Sequence, residues 1–238
     1  MAADAVGRPA RPEGGAVRTG PCPSPPRPMR PALLPIALAL VVGAHAPDPL
    51  GLGFAVVAPV DGVRLSLSES PGGAGPVVTV EVESTPQAFD LVVRPARAVA
   101  VRPAVLAPDF GLLAFRVVAV ADGAYEVVVD EETGRTLWLG AHPAVTYKPW
   151  ARYLVEDVTG LDRLDASTPL RTAPRADAPA VSYEAPGRHG WDCLAVAEVR
   201  GEWARVRRSD LCYQAGPVDG WLRWRDGDRL LISYGPTC

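Results

Sequence analysis

Short runs of alternating apolar and polar residues, or of β-branched residues, dominate the chain after residue 50. The clearest of these runs lie at 63–68, 77–82, 89–93 and 124–129. A period of two residues places one face of a strand toward a core and the other toward solvent. The runs are separated by turns rich in the chain's 26 Pro and 23 Gly, which suit strand ends better than helix interiors. The pattern predicts an all-β protein, with helical turns only at 150–155 and 161–164.

The C-terminal end of the chain carries a separate turn signal. Asp226-Gly227 stands between two apolar runs, 221–224 and 230–234. An Asp-Gly pair between such runs is typical of a two-residue hairpin turn. We therefore expect the last two strands to pair with each other.

A weak repeat relates two parts of the chain. Residues 115–128 lead to Leu137-Trp138-Leu139, and residues 193–206 lead to Gly220-Trp221-Leu222. Both parts predict a strand, a Gly-containing turn, an aromatic residue, a second strand and then a Trp-Leu pair. An insertion of about five residues that holds Cys212 accounts for the longer spacing in the second part. Chance similarity between two hairpins is the alternative interpretation.

Four sequence pieces between residues 166 and 236 form a recognisable set. They are Pro169-Leu170-Arg171-Thr172-Ala173-Pro174, Ala178-Pro179-Ala180-Val181, the hairpin around Trp203, and Gly220-Trp221-Leu222. Together they resemble the opening strand, the turn and the Gly-Trp-hydrophobic strand of the bacterial SH3-like domains. The resemblance covers residues 166–236 and implies a five-stranded barrel at 163–238. It also implies binding to cell-wall peptidoglycan or to an envelope protein or peptide.

The N-terminal part of the chain predicts export. An apolar stretch of 13 residues at 32–44 follows Met29-Arg30, whereas a transmembrane helix needs about 20 residues. A short apolar stretch behind a basic flank is typical of a secretory signal peptide, here 29–46, and a buried helix is the alternative. Residues 1–28 are predicted to be disordered or to precede the true start. The mature protein is then periplasmic or extracellular and has no transmembrane helix.

The predicted domain organisation follows from these segments. An N-terminal β domain occupies 47–150 and has room for a divergent SH3-like copy at 94–140. A linker at 151–162 joins it to the SH3-like domain at 163–238.

Net charge and residue counts limit the partners, cofactors and metal sites that the sequence predicts. The 24 Lys and Arg against 27 Asp and Glu give a net charge of −3, which argues against a nucleic-acid partner. With three His and no phosphate-binding loop, the sequence predicts no cofactor and no metal site. Asp130-Glu131-Glu132 is interpreted as a hairpin turn, and Arg205, Arg207 and Arg208 as a solvated face or as partners for ligand carboxylates.

The cysteines of the exported chain all lie near its end. An oxidising compartment favours one disulfide among Cys193, Cys212 and Cys238. We predict Cys193–Cys212, with Cys238 as a possible substitute partner. A catalytic role for Cys193 is weaker, because a thiolate nucleophile needs a base and only His189 and His142 are available, with no third orienting group.

Aromatic side chains are the candidate ligand-binding residues, because flat rings supply large contact areas at low entropic cost. The predicted set lies in the C-terminal part: Tyr183, Trp191, Trp203, Trp221 and Trp224. Strand alternation sends Trp221 and Trp224 to opposite faces, so at least one is expected outside the core. The predicted function is an exported, non-enzymatic binding module. A structural subunit of an exported complex is the alternative, and a cell-wall cysteine hydrolase is the least favoured.

Overall fold

The fold is given by a computed structural model that describes residues 50–73, 75–85, 87–95, 99–183, 192–210 and 217–235. Several predictions concern residues outside these ranges. They are the extension at 1–28, the signal peptide at 29–46, and the roles of Trp191, His189, Cys212 and Cys238.

Nine strands form the first sheet, whose ladders are all antiparallel. Its order is β4-β3-β2-β8-β7-β6-β1-β9, and β5 pairs with β6 beside this path. A short 3-10 helix at Pro108–Phe110 follows β5. The strands are β1 (Gly53–Val57), β2 (Arg64–Ser68), β3 (Val78–Ser84), β4 (Phe89–Arg94), β5 (Val105–Ala107), β6 (Leu112–Ala121), β7 (Ala124–Asp130), β8 (Arg135–Leu139) and β9 (Val145–Pro149).

One helix, α1 (Trp150–Glu156), leads into a second antiparallel sheet of seven strands. The order of this sheet is β12-β11-β15-β14-β13-β10-β18. A small hairpin of β16 (Arg225–Asp226) and β17 (Arg229–Leu230) stands apart from it. No helix within the described ranges is both long and apolar enough to cross a membrane. The strands of the sheet are β10 (Gly160–Arg163), β11 (Leu170–Arg171), β12 (Ala180–Val181), β13 (Leu194–Arg200), β14 (Trp203–Arg208), β15 (Asp219–Arg223) and β18 (Ile232–Gly235).

The all-β class is confirmed, and so are most of the predicted elements. The four alternating runs correspond to β2, β3, β4 and β7, and the helical turn predicted at 150–155 is α1. The helical turn predicted at 161–164 is wrong, because residues up to Arg163 form β10. Leu161 is fully buried there between Leu194 of β13 and Tyr234 of β18, so tertiary pairing overrides the weak local signal.

The C-terminal hairpin forms, but it is shorter than predicted. Asp226 pairs with Arg229 across a two-residue turn in which Gly227 has φ +60°. The long strands on either side do not pair with each other, since β15 pairs with β14 and β11 whereas β18 pairs with β10. The chain separates there because Trp224, directly after β15, turns into the core.

The sheets bury two apolar cores. The first is formed by side chains of the first sheet and includes Leu65, Leu67, Phe115 and Leu139. The second combines strands of the second sheet with α1 and with Phe54 of β1. Strand β1 is therefore buried on both faces, and its sequence Gly-Phe-Ala-Val-Val shows no polar alternation. The segment predicted as a linker supplies Tyr153 and Leu154 to this shared core.

The two sheets repeat one strand order. Reading across the first sheet gives β3-β2-β8-β7-β6-β1-β9, and the second gives β12-β11-β15-β14-β13-β10-β18. The seven strands of each series follow one another in the same chain order, whereas β4, β5 and the β16–β17 hairpin have no counterpart. The repeated unit therefore runs from Gly53 to Pro149 and from Gly160 to Gly235, which is longer than the copy predicted at 94–140. The SH3-like assignment of these sheets stays a prediction.

The residue register also repeats, down to one irregularity. A β-bulge interrupts the β6–β7 ladder between Val117 and Ala119, and another interrupts the β13–β14 ladder between Val196 and Glu198. Trp138 of β8 lies opposite Glu126, and Trp221 of β15 lies opposite Arg205. When strand positions are counted from the bulge in each sheet, Trp138 and Trp221 occupy equivalent positions of the repeat.

Turn chemistry explains why the sequence comparison is displaced by one residue. The β6–β7 turn is Asp122-Gly123, in which both residues have positive φ, whereas the β13–β14 turn places positive φ on Gly201 alone. The first pattern is a type I′ turn and the second a type II′ turn, so Gly occupies different positions in the two turns. Matching Gly123 with Gly201 therefore shifts the register, and the true counterpart of Trp203 is Ala124.

Candidate functional site

The four predicted C-terminal aromatics that the structure describes do not form one surface. Trp224 is 2% exposed, packs on Trp150 with ring centroids 5.3 Å apart, and donates from Nε1 to the Gly201 carbonyl at 2.9 Å. Trp221 is 8% exposed although it lies on the outer face of β15. The expectation that at least one of these two lies outside the core is confirmed, because Trp221 belongs to neither apolar core, whereas Trp224 lies in the shared core as the alternation predicts. Trp203 is partly exposed on β14.

Tyr183 belongs to a polar cluster around Asp192. The buried Asp192 carboxylate accepts two bonds from the Arg163 guanidinium, at 2.7 and 2.8 Å, and one from the Arg163 backbone N–H. The Tyr183 hydroxyl donates to the Asp192 carbonyl oxygen, which also accepts from Arg208 at 3.0 Å. The hydrogen bond to Asp192 raises the pKa of the Arg163 guanidinium, and burial raises the pKa of Tyr183. These groups hold the backbone before β13.

Cys193 follows Asp192 and is disulfide-bonded. Its φ is +53°, and its N–H donates to Asp162 Oδ1 at 3.1 Å. The other cysteines lie outside the described residues, so the Cys193–Cys212 pairing stays a prediction. The chain continues as a strand and not as a helix, and in the bonded state the sulfur cannot act as a nucleophile.

The other charged candidates have partners within the fold. Arg205 makes a bidentate pair with Asp219, and Arg207 contacts Asp210. Asp130 is the last residue of β7, and its carboxylate accepts from Glu132 N–H and Thr133 Oγ1, which confirms the predicted hairpin turn. No group of three or more metal-ligating side chains occurs among the described residues.

An open groove lies on the outer face of the first sheet, beside Trp138. The Leu137-Trp138-Leu139 alternation buries the two leucines and leaves Trp138 partly exposed on that face. Ser68 of β2 pairs directly with Trp138, and Ser66 is two residues away on the same face. The groove has a volume of about 330 Å³, at the small end of the range for ligand pockets.

A glycine-rich turn forms the rim of this groove. The Gly73 N–H donates to the Ser70 carbonyl at 3.1 Å, so residues 70–73 close a β-turn with Pro71 second and Gly72 third. Gly72 has φ +68°, the value that the third position of a type II turn requires. Gly72, Gly73, Gly75 and Pro76 line one side, while Ala124 and Gly140 line the other. None of the described lining residues is charged.

The equivalent surface of the second sheet is filled. By the repeated register, the small groove residues Ser68, Ala124 and Gly140 correspond to Arg171, Trp203 and Arg223. Ala121 corresponds to Arg200, whose guanidinium carbon lies 5.1 Å from the centre of the Trp221 ring. Large side chains thus cover Trp221, whereas small ones leave Trp138 accessible.

Sequence reasoning missed Trp138 as a candidate because it searched for a cluster of aromatics. The usable signal was a single outward Trp beside Gly140, opposite a strand that carries two serines and leads into a Gly-rich turn. Comparison of the chain with family models, with curated proteins and with solved structures finds no match.

Proposed function

We propose that this chain is an exported, non-enzymatic binding protein of the cell envelope that attaches to cell-wall peptidoglycan through the Trp138 groove. The observation that carries the proposal is the groove itself. It exposes an indole and two serines on a sheet face whose counterpart in the second sheet is filled. A partly exposed aromatic beside a few polar groups is typical of a recognition site.

Two further features support an extracytoplasmic role. The disulfide at Cys193 suits an oxidising compartment, and the pattern at 29–46 is that of a signal peptide. The SH3-like resemblance of 166–236 adds a family in which wall binding is common. In this proposal the second sheet and its aromatics support the fold, and the first sheet carries the ligand.

Co-sedimentation of the purified protein with isolated peptidoglycan tests the proposal. We expect saturable binding by the native protein and a loss of about tenfold in affinity for Trp138→Ala, the size of one well-packed contact. Trp203→Ala is the matched control, because Trp203 is also partly exposed but lies on the second sheet. The absence of binding by the native protein, or equal binding by Trp138→Ala, would overturn the proposal.

A further inference from the structure

We infer that the Trp138 groove takes a neutral pyranose unit of a glycan chain, and not a peptide stem. This inference rests on the proposed function and assigns the ligand class of the same site. A pyranose ring has an apolar face of C–H groups and a rim of hydroxyls. The groove offers the matching pair of surfaces, the Trp138 indole and the hydroxyls of Ser66 and Ser68.

The serine hydroxyls are placed to meet the rim of a sugar. Ser68 stands directly across from Trp138. Its Oγ already donates to the Ser70 carbonyl at 2.8 Å, so it faces a ligand as an acceptor for a sugar hydroxyl. Ser66, exposed on the same face of β2, can both donate and accept. A ring that stacks on the indole can therefore satisfy its polar edge without any charged partner.

Charge argues against a peptide stem. The free stem peptides of peptidoglycan carry carboxylates and amines, and recognition of such groups normally uses Arg, Lys, Asp or Glu side chains. None of the described residues that line the groove carries a charge, and the carboxylate of Glu126, beside Trp138 on β7, accepts a hydrogen bond from Thr136. Proline-rich peptides dock in aromatic-lined grooves, whereas Trp138 is the single aromatic among the described lining residues. The lining therefore favours a neutral sugar.

The second sheet shows which side chain stands at the position equivalent to Gly140. Its counterpart of Gly140 is Arg223, which reaches Glu202 and Asp226 at 2.6 and 2.7 Å. A Cβ built on Gly140 meets no atom within 4 Å, and the backbone there is not in the left-handed region. Gly140→Arg thus adds a large charged side chain to the groove lining without a clash at Cβ.

Calorimetric titration with a neutral trimer of β-1,4-linked N-acetylglucosamine tests the inference, with a synthetic stem peptide titrated in parallel. The native protein is expected to bind the trimer and not the peptide. Gly140→Arg should weaken trimer binding by about tenfold or more, while Trp203→Ala, on the second sheet, should bind like the native protein. Val120→Arg is the charge-matched control, because Val120 is exposed and lies opposite Tyr125, on the other face of the sheet from Ala124.

Each outcome has a separate meaning. Trimer binding lost in Gly140→Arg and kept in both controls supports the glycan assignment. Binding of the stem peptide but not the trimer overturns that assignment and leaves wall attachment standing. Equal trimer binding by Gly140→Arg overturns the groove as the site. If trimer, stem peptide and sedimented peptidoglycan all fail to bind, the proposed function fails as well.

Discussion

The outer faces of the two sheets differ although their strands follow the same order and register. In the first sheet Trp138 is partly exposed between Ser68, Ala124 and Gly140. In the second sheet Trp221 is 8% exposed under Arg200. Because the inner faces build the cores, residues on the outer face can change in size without changing the fold. The size of a few outer side chains thus decides whether a sheet leaves its outer Trp accessible.

A second difference lies in the buried part of the sheets. Counted along the strands from Leu161 and Leu194, the buried pair Arg163 and Asp192 occupies the positions of Val57 and Leu113 in the first sheet. All four side chains are nearly inaccessible. The same backbone geometry therefore holds an apolar pair in one sheet and an ion pair in the other. This difference shows that a buried position requires either tight apolar packing or polar groups with satisfied hydrogen bonds, and not one particular type of side chain.

The largest expected effect separates an inner Trp from an outer one. Trp224→Ala removes a ring that is 2% exposed and packed on Trp150, so we expect a loss of about 4 kcal/mol in the free energy of unfolding. Trp138→Ala should cost less than about 1 kcal/mol, as is usual at the surface. Urea denaturation of both variants measures the difference. Similar losses would contradict the assignment of the two residues to core and surface.

The buried pair should behave differently when one or both members change. Asp192→Leu leaves the Arg163 guanidinium buried without its carboxylate, and we expect a loss of about 3 kcal/mol in stability. Adding Arg163→Val recreates the apolar pair of the first sheet and should recover most of that loss. Chemical denaturation of both single variants and the double variant gives the coupling. A double variant as unstable as the sum of the singles would show that the positions are not interchangeable.

Alkaline pH should weaken the shared core. Burial raises the pKa of Tyr234 from 10.0 to about 12, and the Glu131 carboxylate adds to the shift. The folded state thus holds the phenol proton more tightly than the unfolded state does. This contribution is complete below pH about 10 and is lost as the pH rises to about 12.

Urea midpoints measured across that range should fall less steeply in Tyr234→Phe. Tyr147→Phe is the comparison variant, because Tyr147 is the counterpart of Tyr234 in the first sheet. Burial raises the pKa of Tyr147 as well, but this residue packs against the other core. An unchanged slope in Tyr234→Phe would contradict the role of Tyr234.

The smallest expected effect concerns the cover over Trp221. Arg200→Ala removes the guanidinium above the ring, and we expect a loss of at most about 1 kcal/mol in stability. Acrylamide should then quench the tryptophan fluorescence more strongly, because Trp221 becomes accessible. Arg175→Ala, which changes an exposed arginine that pairs with Asp177, should leave quenching unchanged. Equal quenching in both variants would show that Trp203 or Arg171 alone covers the ring.

Local sequence patterns predicted the strands wherever one face is polar. The runs that became β2 and β3 alternate clearly, and α1 begins at Trp150, directly after Pro149. Predictions failed where both faces are buried or where pairing is distant. Residues 161–164 are too few to show a period of two. In addition, Leu161 pairs with Tyr234, which lies more than 70 residues away along the chain.

The aromatics predicted as a binding surface and the Trp138 groove lie in different parts of the chain for a related reason. Aromatic density in the C-terminal part suggested a surface, but Trp224 fills the shared core and Trp221 is covered. A residue's type does not state whether its neighbours in space are large or small. For Trp138 those neighbours come from β2, the turn at 70–73 and the start of β7.

By itself, the sequence determined the β class and the position of most turns and indicated a weak repeat of two hairpins, because these depend on residues close together along the chain. Only the tertiary structure decided that the halves share a core through α1 and Phe54, and that one outer Trp is open while its counterpart is closed. These properties depend on which distant side chains meet and on the volume between them, and alternation along a single strand carries no information about either.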